Sequence, residues 1–407
     1  MALAQAAAAA DLTLAEAEKL LIAHNRELQA ARRGVETAAA QRLVAAARPN
    51  PTVSLNSSSI NNNPGIGPGP LNQKRIDTVL RIDQPFERGG KRELRMDAAE
   101  RLEQAARNDA LDVQRQGLAQ LRSSYYDLRQ AQEKVEVLEE TAQLFARTFA
   151  AAEVRLKAGD LAAAEVAKVQ VDYERAQNDA RAARADLVRA QIALGYLIGT
   201  EREAAGLRAV DPWPAAQRAD AAAVAQALES RPDVLAAKAR VESAERLRDL
   251  ARSQRTRDIT VGAQYERFPG DLPVNSLGVG ISFPLFTGYD FSGDIQRAEV
   301  DRNAALEALE RTRALAGNDL QRAASDLNAA VERLERYDGS LLGAARRTAD
   351  AAEFAFQRGA SSVLEVLDAR RTLRAVQLEA LGARADYARA LAAFRASQTT
   401  ADMLGAK

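Results

Sequence analysis

The 407-residue chain contains no cysteine, so it has neither a disulfide framework nor a thiolate metal site. Its single histidine, His24, falls inside a predicted helix and reads as a helix-surface residue rather than a ligand. A Ser-His-Asp arrangement would depend on that one imidazole, and nothing around it supports one. No His/Cys cluster could select a transition metal, and Gly278 and Gly280 sit in a predicted strand rather than a phosphate-binding loop. Neither catalysis nor a cofactor is therefore expected. Nucleic acid is not expected either, because 56 Lys+Arg balance 56 Asp+Glu and leave no basic excess. No apolar run reaches the ~18 residues of a transmembrane helix. Aromatics make up only 5% of the chain, and alanine dominates its 47% hydrophobic fraction. Burial must then come from many shallow contacts, as between long helices. The start, Met1 to Ala6, resembles the small-residue end of a secretory leader without its basic and apolar regions.

What the sequence does contain is a duplication. Arg26 to Ala38 aligns with Pro232 to Ala244, Pro85 to Gly89 with Pro284 to Gly288, and Lys157 to Val166 with Gln357 to Val366. The offsets are all near ~200 residues and occur in one order. Each half reads as a helix, two short strands and two long helices. The first helices are expected at Leu14 to Ala47 and Ala221 to Arg252. The long ones are expected at Arg92 to Leu156, Leu161 to Ile198, Gly293 to Phe356 and Ser362 to Thr399. At ~1.5 Å per residue the longest would span about 100 Å, which calls for a bundle or coiled-coil partner. Leu118, Leu121, Tyr125, Leu128 and Gln132 have the 3/4 spacing of a buried stripe, as do Val363, Val366, Leu367, Arg370 and Leu373. The repeats are assigned to 1–198 and 223–400, with a linker at 199–222 and a tail at 401–407.

Four short segments alternate with period two. In Arg75 to Gln84, Ile76, Thr78, Leu80 and Ile82 share one face, and Asp77, Val79, Arg81 and Asp83 the other. In Ile259 to Glu266, Ile259, Val261, Ala263 and Tyr265 oppose Thr260, Gly262, Gln264 and Glu266. Leu277 to Phe286 sets Leu277, Val279, Ile281, Phe283 and Leu285 against Gly278, Gly280 and Ser282. Thr52 to Asn56 is the shortest, with Val53 and Leu55 on one side. This is the lipid-out, lumen-in pattern of an outer-membrane barrel, and a half-buried soluble sheet alternates equally well. Four strands cannot close a barrel, and lipid does not tolerate open edges. A barrel would need other copies of the chain, and three would supply twelve strands. Asn61 to Pro70 and Phe268 to Pro273 read as its extracellular loops.

Helix, two strands and two long helices, repeated once, resembles the TolC-like outer-membrane efflux family over essentially the whole chain. Phe356 to Ala369 is similar to the family's helix-turn at the periplasmic tip, and Arg155 to Val166 is its degenerate counterpart. The strand-to-helix joins fit at Gln84 to Arg92 and Phe283 to Gly288. Gly89-Gly90-Lys91-Arg92 most resembles the heavy-metal branch (CzcC/CnrC-like proteins), the partners of divalent-cation exporters.

The resemblance implies a mainly α chain with a small β part. It implies a trimeric 12-stranded outer-membrane β-barrel, four strands per chain, continued by a long α-helical coiled-coil barrel into the periplasm. The implied function is the channel subunit of a tripartite RND-type efflux system that exports solutes, with divalent heavy-metal cations as the expected cargo. Its implied partners are two further copies, outer-membrane lipid, a periplasmic adaptor and an inner-membrane RND transporter. A type I secretion exit duct and a soluble helical scaffold are the alternatives. Glu365, Asp368 and Glu165 match the acidic positions that ring the closed pore, with Glu365 standing where Asp is expected. On the residues alone they read equally as surface charges on exposed turns. Lys157, Gly159, Asp160, Arg358, Gly359, Ala360 and Ser361 would present the tips to the adaptor. Asp77, Arg81 and Asp83 are the candidates for the barrel lumen.

Overall fold

The structure, a computed structural model, describes residues 10–58, 76–220, 228–268, 274–358 and 360–405. In chain order the elements are β1 (Ala10–Leu12), α1 (Leu14–His24), α2 (Arg26–Ala46), β2 (Thr52–Ser58), β3 (Asp77–Phe86), α3 (Lys91–Lys157), α4 (Ala163–Ile198) and β4 (Leu207–Ala209). Then follow α5 (Pro232–Ser253), β5 (Ile259–Phe268), β6 (Val274–Ser282), α6 (Ser292–Arg336), α7 (Leu342–Gln357), α8 (Val363–Gln398) and α9 (Ala401–Gly405). The chain divides into two compact units that both draw on each sequence repeat. One comprises Met1–Arg33, Asn108–Val234 and Thr312–Lys407, and the other Gly34–Arg107 and Leu235–Arg311.

The first unit is helical. Its largest core cluster contains Leu12, Leu21, Leu118, Leu121, Tyr125, Leu128, Leu194 and Ile198, so the stripe read from α3 is buried. Smaller clusters follow along the helices, with Phe145, Val166, Val169 and Leu367 in one and Leu327, Val331, Tyr387 and Leu391 in another. Alanine is frequent in all of them, which lets long helices approach closely. β1 and β4 pair in parallel, with Leu12 opposite Ala209. This small sheet gave no signal in the sequence, because three-residue strands carry too little periodicity. The Tyr125 hydroxyl holds it, donating to the Leu12 carbonyl (2.9 Å) and accepting from the N–H groups of Val210 (3.2 Å) and Asp211 (3.1 Å). Trp213 stacks on Tyr126 at 5.7 Å between ring centroids.

Apart from ends that shift by a residue or two, four elements differ from the sequence reading. The helix expected over 14–47 is two helices, because Asn25 turns extended at ψ 126°. Its Oδ1 accepts from the Leu28 N–H (3.0 Å), capping α2, and its Nδ2 donates to the Leu197 carbonyl (3.0 Å). The helix expected from Ala221 begins at Pro232, a residue suited to the first helical position because it lacks an N–H. Residues 221–227 lie outside the described residues. The helix expected to run unbroken to Phe356 contains a π-helical turn at Tyr337–Leu341, centred on the poor helix former Gly339. β6 runs from Val274 to Ser282 rather than from Leu277 to Phe286, since Pro284 cannot donate to a ladder.

The second unit holds an antiparallel four-stranded sheet of order β2-β3-β5-β6. Its register aligns Val53 with Ile82, Ile82 with Ala263 and Ala263 with Val279. The next row up is Leu55, Leu80, Tyr265 and Leu277. Directly paired residues share a face, so the apolar positions of all four strands lie together, as the alternation predicts. Beyond them Ser57, Thr78, Arg267 and Asn275 end the apolar band. Leu55, Leu80, Tyr265 and Leu277 on the apolar face are all exposed. The expected loop Asn61 to Pro70 lies outside the described residues, as does 269–273 of the second.

Candidate functional site

The helical unit places the tip residues in two neighbouring turns. α3 ends at Lys157, and Gly159 takes φ 83°, a conformation strained for any residue with a Cβ. The Asp160 N–H then reaches back to the Arg155 carbonyl at 2.9 Å and closes the helix end. The companion turn closes the same way, with the Ala360 N–H on the Ala355 carbonyl at 2.9 Å. Gly359 itself lies outside the described residues. Lys157, Asp160, Arg358 and Ala360 are exposed, and Ser361 is half-buried.

The acidic candidates follow directly. Glu365 stands in the first turn of α8, where its N–H donates to the Ser362 hydroxyl (3.3 Å). Its carboxylate accepts from the Ser361 hydroxyl (2.5 Å). The carboxylate therefore also starts a helix, at the end where the backbone dipole favours negative charge. Asp368 is exposed one turn further on, and Glu165 is half-buried in the first turn of α4.

Behind the two turns lies a cavity of 290 Å³ whose apolar wall includes Leu144, Ala152, Leu161, Phe356 and Leu367. The Arg155 guanidinium lies 6.0 Å from the Phe356 ring and joins one turn to the other. Arg370 pairs with Glu353, Arg371 with Asp172 and Arg374 with Asp179. The last two tie α8 to α4, so they join the second repeat to the first. Asp172 is buried, and Arg371 supplies its counter-charge. These pairs were not singled out from the sequence. The signal that could have found them is spacing: Arg371 and Arg374 share a face of one helix, as do Asp172 and Asp179 of the other.

In the sheet unit the structure brings together two of the three lumen candidates. Arg81 forks onto Asp83, with Nε to Oδ2 at 2.7 Å and Nη2 to Oδ1 at 2.8 Å. Its Nη1 donates to Gln264 Oε1 at 2.8 Å. Asp77 stands apart at the far end of β3, opposite Ser58. All of them lie on the polar face, opposite the apolar rows. The sequence reading placed Gln264 and Glu266 on that face without singling them out.

The Gly89-Gly90-Lys91 segment has a structural role at the base of the sheet. Gly89 and Gly90 take φ 74° and 69° and turn the chain so that Lys91 begins α3 buried. Its Nζ donates to the Thr256 carbonyl (2.9 Å) and to Asp258 Oδ1 (2.8 Å). A Cβ on Gly89 would meet Thr256 Cβ at 2.8 Å, so the turn admits no larger residue without rearrangement.

Among the described residues no group of His, Cys, Asp or Glu is placed to hold a metal ion, and no helix is long and apolar enough to cross a membrane. The profile of the family described as outer membrane efflux protein matches residues 4–200 and 223–398. The cobalt-zinc-cadmium resistance protein CzcC of Cupriavidus metallidurans is 28% identical over 319 residues, covering 75% of this chain and 73% of that protein. The solved structure of CusC matches 98% of this chain and 96% of its own, with a TM-score of 0.76 at 19% identity. The Campylobacter jejuni CmeC outer membrane channel matches 94% of this chain and 85% of its own, with a TM-score of 0.79 at 15% identity.

Proposed function

Because the chain belongs to the outer membrane efflux protein family, we propose that three copies close one twelve-stranded barrel in the outer membrane. The chain is an outer-membrane efflux channel subunit, and its sheet is the observation that carries the trimer. β2 and β6 are edge strands, and the face bearing Leu277, Val279 and Ile281 is open to its surroundings. In lipid that face is satisfied, but two unpaired edges are not. Pairing β2 of one copy with β6 of the next removes every edge. β3 and β5, of 10 residues each, and β6, of 9, meet the ~9–11 residues that a tilted membrane strand needs.

The helical unit then extends into the periplasm. Its paired turns around Gly159 and Ala360 meet a periplasmic adaptor, which couples the channel to an inner-membrane RND transporter. Glu365, Asp368 and Glu165 converge at that end as a ring of carboxylates that favours cations. Divalent heavy-metal cations are the cargo we propose, supported by the likeness to a cobalt-zinc-cadmium resistance protein. With no His or Cys cluster at hand, metal selection would lie upstream and this subunit would serve as a conduit.

Bilayer conductance tests the gate. Glu365→Ala with Asp368→Ala should lower the cation-to-anion permeability ratio by about two-fold or more. An unchanged ratio in a conducting channel would reject the acidic ring. For the cargo, co-expression with a cognate adaptor and transporter should restore zinc, cobalt or cadmium tolerance to a host lacking its own outer-membrane subunit.

A further inference from the structure

The polar face of the sheet carries a connected set of charges that cancel incompletely. Asp83 is neutralised by the fork of Arg81. Arg81 passes on to Gln264, and Gln264 Nε2 donates to Glu266 Oε1. The second carboxylate oxygen of Glu266 accepts from the Ser276 hydroxyl at 3.1 Å. Glu266 is thus held by two neutral donors, an amide and a hydroxyl. The one guanidinium of the set is already taken up by another carboxylate.

Glycine fixes where these charges sit. On the β5 and β6 side their polar-face neighbours are Gly262, Gly278 and Gly280, while β2 sets Thr52 opposite Asp83 and Ser54 opposite Arg81, and Val79 and Ser276 flank Glu266. A Cβ at Gly262 would lie 2.3 Å from Asp83 Oδ1 and 2.6 Å from Arg81 Nη2. A Cβ at Gly278 would lie 3.0 Å from Gln264 Cγ, and one at Gly280 would lie 3.8 Å from Arg81 Nη2. The long side chains therefore lie down in a glycine trough running across β5 and β6. They line the wall of the sheet and do not stand away from it.

We propose that Glu266 sets the ion preference of the barrel lumen, as the one charge of this network that no cation among the described residues offsets. The proposal rests on the reading of the sheet as a trimeric barrel with its polar face inward. Three copies would place three such carboxylates at one height, in a lumen kept wide by the glycine trough. A carboxylate there raises the local concentration of cations and repels anions along the exit path. Glu266 would act separately from the tip residues, on solutes that have already passed the helical unit.

The test is the reversal potential of the purified trimer in planar lipid bilayers under a potassium chloride gradient, in a background carrying Glu365→Ala and Asp368→Ala. Glu266→Gln keeps the size and removes the charge, its amide oxygen still accepting from Gln264 and its NH2 donating to the Ser276 hydroxyl, and should lower the cation-to-anion permeability ratio about two-fold. Arg81→Gln frees the charge of Asp83 and should raise the ratio by a similar factor. A ratio unmoved by Glu266→Gln, or lowered by Arg81→Gln, overturns the proposal while the channel reading stands. A parent protein that forms no channel at all overturns both.

Discussion

Leu121 and Leu277 are the same side chain in opposite surroundings. Leu121, on α3 in the helical unit, is 0% exposed, and Leu277, on β6 of the sheet, is 87% exposed. The difference extends to their neighbours. Around Leu121 the core continues through Leu118, Tyr125 and Leu128, each fully or nearly fully buried. Around Leu277 the apolar row of Leu55, Leu80 and Tyr265 is exposed throughout. The helical unit buries its leucine and tyrosine stripe inside the chain, although apolar side chains such as Val154, Ile192 and Phe354 stay exposed and some ion pairs, such as Asp172 with Arg371, are partly buried. The sheet turns its apolar atoms outward and keeps its charges on the other side. One unit is built for water and the other for hydrocarbon, and family membership supplies the membrane that the second requires.

Substitutions at equivalent chemistry should therefore have opposite consequences. The largest effect is expected in the helical core. Leu121→Ala leaves a cavity among packed side chains and should cost about 2–5 kcal/mol, whereas Leu277→Ala gives up lipid contact only and should cost less than about 1 kcal/mol. Thermal unfolding in detergent compares them, and equal losses would break the distinction. Next comes charge. Val279→Arg places a guanidinium in the apolar band at about 2–4 kcal/mol per chain, while Thr260→Arg on the polar face should be tolerated. Urea titration of protein folded into lipid vesicles reads this difference.

The smallest effect is a pH dependence confined to the helical unit. Burial pushes the Tyr125 hydroxyl up to about 12, helped by the nearby Asp211 carboxylate. An unfolded tyrosine ionises near ~10. Between those values the unfolded chain sheds a proton that the folded chain keeps, so stability falls as pH rises through this window. Below it the contribution is complete. Tyr125→Phe should flatten that slope and cost about 1–3 kcal/mol at neutral pH, because the Asp211 N–H loses the hydroxyl it donates to and the Val210 N–H is left with the Leu12 carbonyl alone (3.3 Å). Burial also raises Tyr126 and Tyr387, which will leave a residual slope.

Long-period features were legible in the sequence and local exceptions were not. The four-strand alternation and the α3 stripe each repeat one rule over many residues, so single deviations do not hide them. The break at Asn25 depends on a carbonyl 172 residues away, at Leu197, which no local window contains. The β1–β4 pairing depends on Tyr125 reaching both strands, and the sequence marks Tyr125 only as core. At the tips, the glycine turns were legible because a helical pattern stops at them. The Ser361–Ser362–Glu365 hydrogen bonds appear only once the turn is built. On the barrel face, Arg81 and Asp83 stood out as charges, but Glu266 gains its distinction from what its neighbours are already bonded to.

The central claim is that three incomplete sheets close one barrel, and electron microscopy of the detergent-extracted protein tests it most directly. The account predicts a threefold-symmetric particle, with a short barrel at one end and a helical cylinder of about 100 Å continuing from it. A monomer, or a particle that stays dispersed without detergent, would contradict it.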